Sequence, residues 1–113
     1  MTDKELLTLA AKAAGIEIEL YRFGFGESFW IPEGEELQRP WNPLTDDGDA
    51  LRLAVKLKMM IDVGPGYAEA KDPEHEQGQK PITAMEYFFD DDPYAATRRA
   101  IVRAAAEIGR GVE

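Results

Sequence analysis

The spacing of apolar residues changes repeatedly along this chain, and those changes limit the folds available to it more than any other feature. Near both ends of the sequence and in its middle, apolar residues recur three and four positions apart, as on one face of an α-helix. Between these segments they alternate with polar residues, as in a half-buried β-strand. Because each kind of segment must bury its apolar side against another element, the sequence predicts helices packed on a sheet.

Three helices are predicted from this spacing and from residues that suit helix ends. They cover residues 3–14, the stretch from about 47 to 57, and residues 93–108. A side chain able to accept a hydrogen bond from the first amides precedes each helix, at Thr2, at Thr45 or Asp46, and at Asp92. Apolar residues cover most of the second helix, so we expect it to be the most deeply buried of the three.

Segments with a period of two, and the turns between them, predict the strands. These are residues 16–21, 28–31, 59–63, 67–71 and 82–89, with loops at 32–40 and 72–80. Strands that follow one another directly along a chain favour antiparallel pairing. The predicted fold class is therefore α+β, a mainly antiparallel sheet of about four to five strands with three helices packed on it, forming one domain over residues 1–113.

Composition narrows the class of protein. A chain of 113 residues can bury a core without disulfides or a structural metal. The absence of cysteine excludes disulfides, thiolate metal sites and cysteine nucleophiles. No apolar run approaches the roughly 20 residues that cross a bilayer, and acidic residues occupy N-terminal positions where a signal peptide would be basic. We therefore expect a cytoplasmic protein without membrane association.

The formal net charge of −9 is unevenly distributed. Most acidic residues fall in segments 33–49, 69–76 and 86–92, which predicts acidic loops over a mildly basic scaffold. Duplex DNA is not an expected partner, because binding to phosphates requires a clustered basic face. Three interpretations of the acidic surface remain open: it contacts a basic protein, it mimics a nucleic acid, or it only confers solubility.

No set of catalytic or cofactor-binding residues has the spacing that its chemistry requires. The glycine pairs in 24–26 and 64–66 lack the third glycine of a dinucleotide-binding loop, so both are predicted to be turns. His75 has acidic neighbours, but adjacent positions on a loop do not converge on a metal ion unaided. The acidic clusters 46–49 and 90–92 lack the pattern of a calcium loop and suit helix capping. We predict no catalytic residue, no metal and no cofactor.

One group of residues combines an aromatic side chain with charges of both signs. Tryptophan and arginine are frequent hot spots of interfaces, and aromatic side chains commonly line ligand pockets. The candidate binding site consists of Trp41, Asp47, Asp49 and Arg52. Such a site is typical of a protein that binds a small molecule or nucleotide, or of a simple enzyme. A second interpretation is that it anchors a partner protein. Alternatively, Trp41 only closes the edge of the core.

Two stretches resemble a known family. WNPLTDDGDALRLAV (41–55) and ATRRAIVRAAAEIG (96–109) are similar to small phage and prophage proteins grouped under an "ABA sandwich" domain. The two stretches cover about a quarter of the chain. The resemblance implies a phage or prophage origin and helices on both faces of a sheet. The family has no assigned activity, so the resemblance implies no catalytic residue.

The leading hypothesis from the sequence is a non-enzymatic accessory protein of a phage or prophage. It would act through contacts with a host or phage protein that carries a basic surface. Two alternatives remain: a small-molecule or nucleotide binder with a pocket near Trp41 and Arg52, and an acidic nucleic-acid mimic. Self-association into a homodimer is also compatible with the sequence.

Overall fold

The computed structural model describes residues 1–33, 37–72, 81–89 and 92–112. Helices and strands follow one another there in mixed order, which confirms the α+β class. In chain order the elements are α1 (Asp3–Ala14), β1 (Glu19–Phe23), β2 (Gly26–Glu33), β3 (Leu37–Pro40), α2 (Asp47–Lys56), β4 (Met60–Gly64), β5 (Tyr67–Asp72), β6 (Ile82–Tyr87) and α3 (Pro93–Arg110). Across the described ranges, no helix has the length and apolar character needed to cross a lipid bilayer.

The described strands form two three-stranded antiparallel sheets, ordered β1-β2-β3 and β4-β5-β6. The prediction of a single sheet of four to five strands is therefore not confirmed. Strand β3 lies in the stretch 32–40, which was predicted to be a loop. Its register sets Ile31 opposite Arg39 and Trp30 opposite Pro40. A short polar strand that ends in proline suits a sheet edge. Such a strand is defined by its pairing with the neighbouring strand, because its own sequence has no apolar alternation.

Helix α1 has the predicted bounds. Thr2 caps its start, and Gly15 ends it in the left-handed conformation, with φ of 67°. The backbone N–H of Ile16 donates to the carbonyl of Ala11 at 2.9 Å and so completes the helix end. Because Ile16 belongs to this cap, β1 begins at Glu19 and not at residue 16 as predicted.

Helix α3 is the centre of the packing. It contacts α1, α2 and the strands β5 and β6. Its buried residues are mostly small: Ala100, Ile101, Val102, Ala104, Ala105, Ala106 and Gly109. Small side chains let α1 approach closely, and at Gly109 an added Cβ would lie 2.0 Å from the carbonyl oxygen of Leu9.

One face of the second sheet, here called its inner face, is covered by α3. Strand β5 alternates along its length, and Ala68 and Ala70 are buried on this face. The register sets Val63 opposite Ala68 and Ile61 opposite Ala70, so these two β4 residues share the inner face. Four of the five residues of β4 are nevertheless exposed, because the helix covers β5 and β6 more than β4.

Helix α2 is less buried than the sequence predicts. Its buried residues are Asp49, Ala50, Leu53 and Ala54. Leu51 and Val55 remain 63% and 67% exposed. Among the described elements, α2 packs chiefly on α3, so only one side of the helix is covered.

Candidate functional site

Asp49 and Arg52, two of the four candidate residues, lie together. The Arg52 guanidinium donates to one Asp49 carboxylate oxygen at 2.7 Å, and Arg39 lies 3.5 Å from the same oxygen. The other oxygen accepts the backbone N–H of Asn42 at 3.0 Å. The Asp49 side chain is only 6% exposed, and its own N–H donates to the N-cap Asp46 at 2.8 Å. Asp49 therefore ties the start of α2 to the segment before it.

A polar recess of about 400 Å³ lies beside this cluster. The residues that line it are Arg39, Pro40, Asn42, Thr45, Asp46, Asp49 and Arg52. Both arginines face carboxylates in it, so much of the charge is compensated within the protein. An anionic ligand such as a nucleotide would have to draw the arginines away from Asp49, whose carboxylate would then stay buried at a high cost. The contacts favour a structural role for this cluster.

Trp41 does not line the polar recess. It is 3% exposed and belongs to the hydrophobic core. Its backbone N–H donates to the carbonyl of Phe29 on β2 at 3.0 Å. Trp41 therefore attaches the segment before α2 to the first sheet and offers almost no surface to a ligand.

Asp47, the fourth candidate residue, is directed to a different cavity. Its carboxylate accepts a hydrogen bond from the Arg98 guanidinium of α3 at 2.6 Å. Arg98 also donates through Nε to the carbonyl of Leu44 at 2.8 Å. This ion pair joins α2 to α3, and the structure brings together only two of the four residues proposed from the sequence.

The cavity beside Asp47 and Arg98 is a groove of about 630 Å³ between α2, α3 and β4. Its other lining residues are mostly apolar: Ala50, Leu51, Ala54, Ile61, Val63, Pro93, Tyr94, Thr97 and Ile101. We call this cavity the apolar groove. It combines the open flank of α2 with the inner face of β4 and the first turns of α3.

Large apolar side chains remain accessible in and beside the apolar groove. The exposed fractions are 63% for Leu51, 67% for Val55, 38% for Ile61, 51% for Val63 and 68% for Tyr94. Leu51 and Val55 are four residues apart and therefore adjacent on the surface of α2. Contiguous exposed apolar surface of this kind marks interaction sites in soluble proteins.

Three of the polar side chains that line the apolar groove have hydrogen-bond partners. Asp47 and Arg98 pair with each other, and the Thr97 hydroxyl donates to the carbonyl of Pro93 at 2.8 Å. None of the described lining residues is a histidine, and the carboxylate present is neutralised by an arginine. The groove therefore suits recognition of an apolar surface.

A tyrosine–aspartate pair lies on the other face of the second sheet. The hydroxyl of Tyr67 donates to Asp62 at 3.3 Å. The negative charge of Asp62, reinforced by this hydrogen bond, raises the pKa of Tyr67 above its ordinary 10.0. A raised pKa keeps the phenol protonated at neutral pH, so Tyr67 is not an activated nucleophile or base.

Metal coordination finds no support in the part of the chain that the structure describes. There, no three histidine or acidic side chains come close enough together to hold an ion. His75 lies outside the described residues, as do Asp90 and Asp91. Parts of the acidic segments 33–49 and 69–76 lie outside them as well.

Comparison with known proteins gives no match: no family model, no curated protein and no solved structure matches the chain.

The apolar groove was not predicted from the sequence. Helical spacing assigns Leu51 and Val55 to the core, whereas the structure exposes both. One signal was present in the sequence. Apolar residues cover more of the α2 circumference than a single packed face needs, as in a helix that is wholly buried or that has a second apolar contact.

Proposed function

We propose that this protein is a non-enzymatic accessory protein of a phage or prophage that acts in the host cytoplasm by binding another protein. The observation that carries the proposal is the apolar groove, an accessible apolar surface bordered by an ion pair and without reactive groups among its described residues. The phage origin, and the α-β-α layering that goes with it, rest only on the resemblance of residues 41–55 and 96–109.

The groove defines part of the partner's chemistry. Its occupant must present apolar side chains, because those that line the groove are apolar and few polar groups are available to bind. The net charge of −9 favours a partner with basic residues over the acidic surface of the protein as a whole. The basic partner predicted from the sequence would meet the acidic surface, whereas the groove requires only an apolar protein surface.

Binding of a small apolar molecule is the second candidate. A volume of about 630 Å³ lies within the range of roughly 300–1,000 Å³ that is typical of ligand pockets. This candidate predicts a rise in Tm with an apolar compound, since a ligand at 100 times its Kd adds about 2.7 kcal/mol of stability. No rise with a panel of apolar metabolites would leave the protein partner as the better assignment.

A nucleic-acid mimic has less support from the acids near the candidate site. Asp49 is buried against Arg52, Asp46 lies 3.8 Å from Arg52, and Asp47 pairs with Arg98. A mimic of the phosphate backbone needs carboxylates arrayed on an open surface, whereas these three face arginines.

Affinity capture from a bacterial host lysate tests the proposed function. The immobilised protein is compared with Leu51→Glu, which places a charge in the apolar groove, and with Phe25→Glu. Phe25 is 95% exposed in the turn between β1 and β2, so its variant removes a similar apolar surface elsewhere. We expect a discrete protein to be retained by the wild type and by Phe25→Glu but lost with Leu51→Glu. Equal retention by all three would contradict the groove as the binding surface.

A further inference from the structure

We infer that the apolar groove is closed by a second copy of this chain, in a symmetric dimer in which the two β4 strands pair antiparallel. The inference rests on the proposed function, because it takes the groove to be a protein-binding surface; it assigns that surface to a second copy of this chain and not to a basic partner. It unites two separate observations: an edge strand whose outer side no described strand occupies, and exposed apolar side chains on the helix beside that strand.

The first observation concerns the edge of the second sheet. Strand β4 is an outer strand in the order β4-β5-β6, and only β5 pairs with it among the described strands. An edge strand presents unpaired backbone N–H and C=O groups, and proteins usually protect such an edge with lysine, proline or a bulge. The β4 sequence MIDVG carries one charged side chain, Asp62, but no lysine or proline, and Met60, Ile61 and Val63 are exposed on it.

The second observation concerns the helix faces. A two-fold axis perpendicular to the sheet would join β4 to its copy and keep both inner faces on one side. The α2 helices of both copies would then approach each other above the paired strands. Leu51 and Val55 are exposed on α2, and Ile61 and Val63 lie on the inner face below. One contact would therefore cover all four side chains in each copy.

The exposed area is sufficient for such a contact. From their exposed fractions, Leu51, Val55, Ile61, Val63 and Tyr94 present on the order of 500 Å² per copy. Two copies, together with the paired strand edges, reach the lower end of the roughly 1,200–2,000 Å² that specific interfaces bury. A short peptide bound to this surface would leave much of α2 uncovered.

Charge limits the register of the paired strands. A two-fold axis through Asp62 would place two carboxylates directly opposite, which is unfavourable. An axis through Ile61 instead sets Asp62 opposite Met60 of the second copy and joins the two isoleucines at the centre. This register puts apolar side chains on both sides of the axis within the groove.

A cysteine cross-link tests this arrangement, because the chain contains no cysteine of its own. Directly opposed residues of an antiparallel pair have Cβ atoms about 4.5–5.5 Å apart, close to the spacing that a disulfide accepts. We expect Ile61→Cys to form a disulfide-linked dimer under mild oxidation in dilute solution. The matched control is Phe25→Cys, an exposed position in the turn between β1 and β2, which should remain monomeric. Circular dichroism checks that both variants keep the fold.

Sedimentation equilibrium supplies a second test that needs no substitution in β4. We expect the wild type to dimerise and Leu51→Glu to weaken the dimer by at least roughly tenfold, since a charge would be buried in an apolar contact. Because each copy carries a net charge of −9, added salt should strengthen the dimer by screening repulsion. Binding to a basic partner should show the opposite response to salt.

The outcomes separate the dimer from the proposed function. A chain that stays monomeric up to high concentration, with Ile61→Cys no more readily cross-linked than Phe25→Cys, overturns the dimer. If such a monomer still captures a protein through Leu51, the proposed function stands and the groove has a different occupant. A dimer that Leu51→Glu leaves intact also overturns the inference, because the contact would then lie elsewhere.

Discussion

Replacing Gly109 by alanine should lower the free energy of unfolding by about 2 kcal/mol. An alanine Cβ at this position would lie 2.0 Å from the carbonyl oxygen of Leu9 and 2.8 Å from its carbonyl carbon. Contacts under 3.0 Å do not occur between real Cβ atoms and their neighbours, so something must move. The obstacle is backbone, which cannot rotate away as a flexible side chain does. Helices α1 and α3 would have to separate.

The magnitude follows from two opposing effects. Overpacking of a close contact costs about 1–3 kcal/mol, and a clash with backbone belongs at the upper end of that range. Alanine also favours the helix over glycine by about 1 kcal/mol, which offsets part of the cost. The difference is a net decrease of about 2 kcal/mol in the free energy of unfolding. For a chain of this length, it corresponds to a fall in Tm of about 8 °C.

Urea denaturation followed by circular dichroism measures the loss, and Gly111→Ala is the matched control. A Cβ at Gly111 would meet nothing closer than the Ile108 carbonyl oxygen at 3.6 Å, and its φ of −87° suits any residue. We expect this control to be unchanged or stabilised by up to about 1 kcal/mol. If Gly109→Ala were as stable as Gly111→Ala, the close contact between α1 and α3 would be refuted.

Three further predictions test burial, polar contacts and the raised pKa. Leu53→Ala should lower the free energy of unfolding by about 2–5 kcal/mol, whereas Leu51→Ala on the same helix should change that of the monomer by less than about 0.5 kcal/mol. Thermal unfolding measures both, and equal losses would contradict the exposure of Leu51. Asp49→Ala should lower the free energy of unfolding by about 2 kcal/mol in urea denaturation, because hydrogen bonds to a charged group are lost, and Asp49→Asn should lower it less. No loss would contradict the role of Asp49 at the start of α2. In an ultraviolet titration, Asp62→Asn should lower the pKa of Tyr67, and an unchanged titration would exclude Asp62 as the cause. In the wild type, any stability from the protonated tyrosine should persist below the ordinary pKa of 10.0 and be lost as pH rises through the raised pKa.

Local signals in the sequence were sufficient for the helix ends. Thr2 and Asp92 occupy the cap positions predicted for them, Asp46 is the one of two candidates that caps the second helix, and the first helix ends at Ala14 as predicted. These features could be predicted because a cap satisfies backbone groups within a few residues along the chain. The capping residue and the amides that it serves are therefore visible together in the sequence.

Of the four candidate residues, sequence spacing indicates the mutual position of two. Asp49 and Arg52 are three residues apart on one helix, so sequence spacing alone brings them together. Trp41 and Asp47 are close to them in sequence, yet one is buried and the other faces Arg98, which is 51 residues away. Nearness along the chain does not determine which way a side chain points once distant elements pack around it.

The sequence by itself determined the kinds of elements, the ends of the helices and the alternation of strand faces, because each depends on hydrogen bonds and spacing within one segment. Only the tertiary structure decided that the described strands divide into two sheets, that β3 exists as an edge strand, and that Leu51 and Val55 stay exposed. Strand pairing and burial depend on which distant segment arrives at a given surface. The apolar groove results from that arrangement, since its residues come from α2, β4 and α3 and acquire a shared surface only when these elements meet.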